Sequence, residues 1–384
     1  KKRFSMMMLE YEAKALLDSV RVPAPAGIVV RRDARSRTRA TSKVTQYPVA
    51  VKAQVRSGGR GKQGGVVKAE DRQALEAALE RLFETAFGGE RPEALLIEPW
   101  LATDRELYLS VTVDGRADGY VVMYAPRGGI DIEDGPPPAR YALGAAHRFR
   151  AHELRGVLEA HEADYALREK VIATAQRLVH AAALHDCTTI EINPLVRLAD
   201  GELIAADAKI ARDDWAAFRN REIGDALEAD KQRADKHLRD CLDMQHMYVR
   251  LEGDIALISG GAGMTMAAMD MIAEHGGRPA CFLDCSPGPT STRGYRPAFA
   301  MLDADPQVKV ILVSVFGGGT QMQRVANAMK EIMTERKSRK PVVFRLDGTN
   351  VDQVPGIFSE FGARNHACLE DAVAEAVSLS KGAA

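Results

Sequence analysis

The chain reads as an α+β part followed by an α/β part. Three observations predict this division. Up to about residue 215, short strands come in runs joined by tight loops, and amphipathic helices stand apart from them. From about residue 250, three units repeat one order: an apolar strand, a glycine-bearing turn, then a helix. Between the two parts lies a charged helical stretch, Asp225–Asp243. The boundary is placed near residue 240, giving segments 1–240 and 241–384.

The elements follow in order. Leu9–Val20 carries apolar residues at Leu9, Ala13, Leu16, Leu17 and Val20, the spacing of an amphipathic helix, and Pro23 and Pro25 end it. Gly27–Val30 and Val49–Val55 read as strands, with Pro48 opening the second. After the loop Ser57–Gly65 comes a strand at Val66–Ala69 and a helix over Asp71–Phe87. Leu95–Glu98, Leu107–Val113 and Tyr120–Tyr124 are strands. Residues 125–150 are rich in Pro, Gly and Arg and read as a long surface loop, with two helical stretches after them to about Leu184. The repeated units are Ile255–Ser259 with Gly260-Gly261-Ala262-Gly263, Val308–Phe316 with Gly317-Gly318-Gly319, and Val342–Leu346 with Gly348-Thr349-Asn350. A parallel sheet built this way places ligand sites at the strand C-termini.

Composition narrows the possible functions. The 384 residues hold 52 Lys+Arg against 53 Asp+Glu, a net charge of −1, with 46% hydrophobic content. This is globular composition, and near-neutral charge argues against a dedicated nucleic-acid binder. No stretch approaches the roughly 18 apolar residues of a membrane span. Five cysteines without a CxxC pair point to a reducing compartment, bacterial cytosol or a mitochondrial-matrix-like one. Cys281 and Cys285 flank Phe282-Leu283-Asp284 as strand-core residues rather than metal ligands. Residues 1–8 lack an apolar h-region and read as an appended segment or alternative starts rather than a secretion signal. The charge is uneven: residues 1–60 carry +10 and the remainder −11. That basic arm is either a solvated surface or a site for phosphates.

Ser57–Gly65 contains G-x-G-x-x-G at Gly59, Gly61 and Gly64. A Rossmann fingerprint would lead into a helix, but a strand follows, and the glycine spacing of Walker A is missing. A strand–loop–strand with Arg60 and Lys62 suits a flap over nucleotide phosphates, because glycines let backbone N–H groups approach the oxygens. Protein kinases use such a flap, yet neither HRD nor DFG occurs, which excludes a kinase. On its own the loop reads equally as a hairpin tip. Lys52, mid-strand, is either the polar face of a half-buried strand or a phosphate-reaching lysine, and the nearby loop favours the second.

Ile190-Glu191-Ile192-Asn193-Pro194 places Glu191 and Asn193 on one strand face. Leu203–Lys209 is a second strand, joined through Ala199-Asp200-Gly201 with Gly201 left-handed. In that register Asn193 faces Asp207, and Glu191 faces Lys209. One carboxylate, one amide oxygen and nearby phosphates suit Mg²⁺; the plain alternative is a surface salt bridge beside a turn. Glu98 and Glu106 lie at the ends of apolar strands, where acids could bind an adenine amino group and ribose hydroxyls or be structural.

Six segments carry a resemblance: LEYEAKALL (9–17), VKAQVRSGGRGKQGG (51–65), EINPL (191–195), DAKI (207–210), GGAGMTMAAMD (260–270) and RLDGTN (345–350). They resemble the beta-subunit family of ADP-forming succinyl-CoA synthetase, from about residue 8 to the C-terminus. The resemblance implies an ATP-grasp domain followed by a flavodoxin-like, Rossmann-type CoA-ligase domain. It implies that Lys52, Gly59, Arg60, Gly61, Glu98, the backbone near Leu101, and Glu106 hold ATP as co-substrate. It further implies Mg²⁺ on Asn193 and Asp207, and Glu191 at the phosphohistidine loop of a partner. That partner is an alpha subunit carrying the histidine and most of the CoA site, in a heterodimer or heterotetramer. The implied reaction phosphorylates the histidine from ATP, passes the phosphate to a carboxylic acid, and lets CoA displace it. None of the nine histidines lies in a glycine-rich anion site. The helix starting at Met264 would aim its N-terminal dipole at the phosphate.

Departures from the family pattern cluster in the acid-binding half. Gly260 stands where the family has an asparagine, and FGGI becomes Phe316-Gly317-Gly318-Gly319. FLDVGGGA becomes Phe282-Leu283-Asp284-Cys285-Ser286-Pro287-Gly288-Pro289, and the EGG loop reads Arg127-Gly128-Gly129. Substrate-binding positions on this reading are Gly260, Gly317, Gly318 and Gly319. A lost amide with gained space and hydroxyls implies an acid other than succinate: malate-like, sulfo- or sulfino-, or citrate-like. A stand-alone ATP-grasp ligase and a regulatory subunit without catalysis are the competing readings. The retained Lys52, Glu191, Asn193 and Asp207 weigh against the last.

Overall fold

The computed structural model describes residues 7–56, 59–129, 135–233, 236–285 and 291–382. They form two compact units, one ending at Gly224 and one beginning at Asp225.

Helix α1 (Glu10–Ser19) opens the first unit, its Glu12 side chain accepting from the Leu9 amide at 2.9 Å. It buries Ala13, Leu16 and Leu17, three of the positions its apolar spacing picks out. Then come β1 (Ile28–Arg31), α2 (Ala34–Thr41), β2 (Val49–Gln54), β3 (Val66–Ala69), α3 (Arg72–Glu84) and β4 (Ala94–Pro99). The four strands pair antiparallel in the order β1-β4-β2-β3. Helix α3 lays Leu75, Leu79, Leu82 and Phe83 against them.

Helix α2 was not legible in the apolar spacing, because its sequence, ARSRTRAT, has no apolar stripe. It forms because Asp33 caps it, accepting from the Ser36 amide at 2.8 Å. Arg32 donates to Glu84 at 2.8 Å and to the Phe83 carbonyl at 2.5 Å, and the Arg37 guanidinium stands 4.8 Å from the Phe83 ring centre. Part of the basic arm is therefore structural.

The larger sheet contains β5 (Arg105–Asp114), β6 (Gly119–Ala125), β7 (Ala139–Gly144), β8 (Cys187–Arg197) and β10 (Ala208–Arg212), in the order β10-β8-β5-β6-β7, with β9 (Leu203–Ala205) also on β8. Helices α4 (Ala151–Leu158) and α5 (Tyr165–Leu184) precede β8. Strand β7 corrects the expected loop over 125–150. It pairs with β6 and buries Ala139, Tyr141 and Leu143 in alternation. Pro136-Pro137-Pro138 immediately before it obscured that short period.

The charged stretch is helical over its described residues, α6 (Arg221–Arg233) and α7 (Lys236–Asp243). The second unit continues with β11 (Met247–Arg250), β12 (Ile255–Ser259), α8 (Ala262–Glu274), β13 (Cys281–Asp284), α9 (Thr292–Ala304), β14 (Val310–Gly317), α10 (Met322–Glu335), β15 (Val342–Gly348), α11 (Val354–Ser359) and α12 (Leu369–Ser380). The sheet order is β11-β13-β12-β14-β15; β12 to β15 run parallel as expected, and β11 adds an antiparallel edge that was not. Alternate residues enter two cores: Ala256, Ile258 and Val313 one, Ile255, Leu257 and Leu312 the other. Burial on both faces is why these strands read as continuous apolar runs. No helix of the described residues is long and apolar enough to cross a membrane.

Phe83 is fully buried while Phe218 is 84% exposed. Phe83→Ala should destabilise the first unit by about 3–5 kcal/mol in urea titrations, and Phe218→Ala by less than about 0.5 kcal/mol. Equal effects would contradict the packing of α2 and α3.

Candidate active site

The site begins with a proline. Strands β8 and β9 pair Leu195 with Ala205, and β8 and β10 pair Ile192 with Ala208. The same register, closed by Gly201 at φ 80°, sets Pro194 opposite Ala206 and Asn193 opposite Asp207. The Ala206 amide donates to the Pro194 carbonyl at 3.1 Å. An antiparallel pair would normally return a bond from residue 194 to the Ala206 carbonyl, but proline has no N–H. That carbonyl instead accepts from Lys14 Nζ at 2.7 Å and Lys52 Nζ at 2.6 Å. A gap in the ladder thus becomes an anchor for two ammonium groups.

Around it lies a buried charge cluster drawn from distant parts of the first unit. Lys14 pairs with Glu10 at 2.8 Å and Glu98 at 2.6 Å; Lys52 pairs with Glu10 at 2.9 Å and Glu98 at 2.8 Å. Arg60 bonds Glu10, Asp207 at 3.1 Å, and the Ala53 carbonyl at 2.6 Å. Three cations meet three carboxylates. Burial opposes charge on Glu10, but Lys52, Arg60 and Lys14 overcome it and hold its pKa well below the carboxylate range. Burial likewise opposes the Lys52 charge, and Glu10, Glu98 and Asp207 overcome it, raising its pKa. On Lys14 burial prevails and the pKa falls. Asp207 goes the other way: burial, then the Glu10 charge, raise it against Arg60, Lys52 and Lys14. Its side chain lies deep in the unit yet opens on a cavity, with 37% of its surface exposed there.

That cavity, ≈ 1020 Å³, is lined by Lys52, Gly59, Arg60, Gly61, Glu98, Leu101, Glu106, Glu191, Asn193 and Asp207, every position predicted for the nucleotide, metal and partner-histidine roles. Glu10 and Trp100 also line it, and neither was singled out from the sequence. Glu10 was hidden because a glutamate in the first turn of a helix reads as a dipole partner. The Asn193 amide oxygen accepts from the Gly129 amide at 2.6 Å. A Cβ on Gly129, whose φ is +96°, would stand 2.8 Å from a Glu106 oxygen, so only glycine lets this loop approach. Among the described residues no three His, Cys, Asp or Glu side chains form a metal cluster. Asn193 and Asp207 supply two oxygen donors at opposed positions, a set that fits Mg²⁺ when phosphates and waters complete the shell.

The other predicted positions lie in the second unit. Gly260 follows β12, and Gly317 ends β14, the adjacent parallel strand, with Gly318 and Gly319 beyond it. A Cβ on Gly260 would meet only a Val315 methyl at 3.6 Å, and one on Gly318 or Gly319 would meet nothing within 4 Å. Asp284 accepts from the Gly261 amide at 2.7 Å at the start of α8. The Ser286–Pro289 departure lies outside the described residues.

Comparison with known proteins matches these two regions. Residues 7–197 match the ATP-grasp domain family, and residues 258–379 match the CoA-ligase family. A succinate–CoA ligase [ADP-forming] subunit beta from Ignicoccus hospitalis is 36% identical over 98% of this chain and 100% of that protein. The chain belongs to this family. Members carrying the same name from Rubrobacter xylanophilus and Chlamydia muridarum are 31% and 32% identical, over 98% and 91% of this chain and 99% and 92% of those proteins. Among solved structures, ATP citrate lyase from Methanothrix soehngenii in complex with citrate and coenzyme A shares the fold at a TM-score of 0.70 and 17% identity, covering 97% of this chain and 100% of that one. Family membership makes the chain an ATP-grasp unit followed by a CoA-ligase unit.

The raised Asp207 pKa has a sign for stability. The fold favours the neutral form, so its contribution is present below the ordinary aspartate pKa and is lost as pH rises through the raised value. Asp207→Asn should leave the melting temperature unchanged or raise it at pH 8, with the gap to wild type narrowing as pH falls. A drop of more than about 3 °C, or about 1 kcal/mol for a unit of this size, would show the charge to be net stabilising.

Proposed function

We propose that this chain is the nucleotide-binding beta subunit of an ADP-forming carboxylic acid–CoA ligase, converting ATP, acid and CoA to ADP, phosphate and acyl-CoA. The observation that carries the reading is the convergence of Lys52, Arg60, Asn193 and Asp207 on one cavity of the ATP-grasp unit. Residues 1–240 hold the nucleotide and 241–384 form the CoA-ligase part. The partner is an alpha subunit bearing the histidine that receives the phosphoryl group, and five cysteines with no CxxC pair suit a reducing compartment.

Lys52 and Arg60 bind the phosphates, and the Gly59–Gly61 backbone closes over them. Glu98, the Leu101 backbone and Glu106 hold the base and ribose. Asn193 and Asp207 would hold Mg²⁺, which would supply charge neutralisation at the transferring phosphoryl group. Glu191 accepts the N–H of the partner histidine, leaving its other nitrogen as nucleophile. The terminal P–O bond breaks, a P–N bond forms, and ADP leaves. The acid carboxylate then takes the phosphoryl group, and the CoA thiolate displaces phosphate from the acyl phosphate.

Gly260 favours a second reading of the acid. Its backbone does not require glycine, since its φ is not left-handed and a Cβ would meet only a Val315 methyl, so the missing side chain leaves open space at the C-terminal end of β12. We infer an acid bulkier or more polar than succinate.

Two measurements test this function with the chain and its partner reconstituted. Asp207→Asn should lower ATP-dependent phosphorylation of the partner by about 100-fold or more while the protein stays folded; retained phosphorylation would remove Asp207 from the site. Gly260→Asn should shift the kcat/KM ratio toward succinate by about tenfold across a panel of dicarboxylic and sulfo-acids, about 1.4 kcal/mol. An unmoved ratio would place acid recognition elsewhere.

A further inference from the structure

Helix α1 brings LEYEAKALL to the cavity, and neither the fold nor the reaction assigns its lysine a task. Lys14 and Lys52 hold the same three acceptors: Glu10, Glu98 and the Ala206 carbonyl. An ammonium group has three N–H donors, so both side chains are fully engaged. The two differ in where they stand. Among the described residues lining the cavity are Glu10, Lys52, Arg60 and Glu98, but not Lys14, whose side chain is 6% exposed.

A phosphate can therefore reach Lys52 only by displacing one of its three acceptors. Arg60 presents the same problem, because it too is bonded to Glu10 and Asp207. When Lys52 and Arg60 turn to a polyphosphate, Glu10 loses two of its three cations. A carboxylate buried to 2% exposure and left without a counter-charge would resist that exchange. Lys14 is the cation behind the cavity that stays in place.

We propose that Lys14 is a positioning residue of the nucleotide site: it keeps Glu10, Glu98 and the Ala206 carbonyl paired while Lys52 and Arg60 pass from carboxylates to the phosphates of ATP. The inference rests on the ATP reading of the cavity. Lys14 touches no substrate. Its effect falls on nucleotide affinity. The charges facing Glu10 are Lys14 from α1, Lys52 from β2, Arg60 from the glycine loop, Glu98 from β4 and Asp207 from the hairpin. With Lys14 removed, Glu10 and Glu98 compete for Lys52. Both carboxylates then hold Lys52 back from phosphate.

The test uses the chain reconstituted with its partner and follows kcat and KM for MgATP. Lys14→Met should raise KM at least tenfold with kcat within threefold of wild type. A raised KM at an almost unchanged kcat is a split that a general loss of packing would not produce. Lys14→Arg should stay within threefold of wild type. The double variant Glu10→Gln/Lys14→Met, which removes the cation with one carboxylate, should recover most of the loss. A Lys14→Met KM equal to wild type, or a Lys14→Arg effect as large, would overturn the inference. If Lys14→Met does not fold, the double variant decides: folding with a near-wild-type KM supports the role, and failure to fold or a tenfold higher KM overturns it. A wild-type complex without saturable ATP dependence would overturn the ATP reading together with this inference. Wild-type saturation with unmoved variants overturns the inference alone.

Discussion

A missing N–H organises the nucleotide unit. Pro194 withholds the donor that a regular antiparallel ladder would aim at the Ala206 carbonyl, and two lysines take its place. Buried polar groups must find partners, so this one vacancy draws in ammonium groups, and they in turn require carboxylates. Glu10 and Glu98 answer that demand from a helix and from the four-stranded sheet. The cluster thereby joins α1, both sheets and the glycine loop.

The balance of charge in that cluster also bears on what could enter it. Three cations and three carboxylates need no ligand to be neutral, so a weakly charged molecule gains little by entering. A triphosphate with its divalent ion offers enough charge to replace carboxylates one for one. On the ATP reading, such a cluster would suit a ligand able to exchange charge more than one that merely fits.

Much of this was legible in the sequence, and the rest was hidden for physical reasons. Strands β2 and β3, the repeated strand–glycine–helix units and the hairpin register follow from local periodicity and turn chemistry, and the structure has them. The cavity gathers all ten residues named for it, because each lies in a motif that is local in sequence. Helix α2 escaped because its stability comes from a cap and from Arg37 against Phe83, a contact made in three dimensions. Strand β7 escaped because prolines flank a correct alternation. Glu10 and Lys14 escaped for a different reason. On a helix four residues apart they read as an ordinary exposed ion pair, and only long-range packing buries them.

The sequence separation within the cluster has a consequence for how the protein is made. Lys14 meets a carbonyl 192 residues further along, and Lys52 meets the same atom from 154 residues away. During synthesis the N-terminal helix leaves the ribosome long before the hairpin that completes its charge pairing. Until then Glu10, Lys14 and Lys52 are best left in water, since burying them early would strand unmatched charges. Closure of the two sheets on each other is thus deferred until the last strands of the unit arrive. Assembly of the site becomes a late, all-or-none step, and nucleotide in the cell would favour the completed chain over its partly folded precursors.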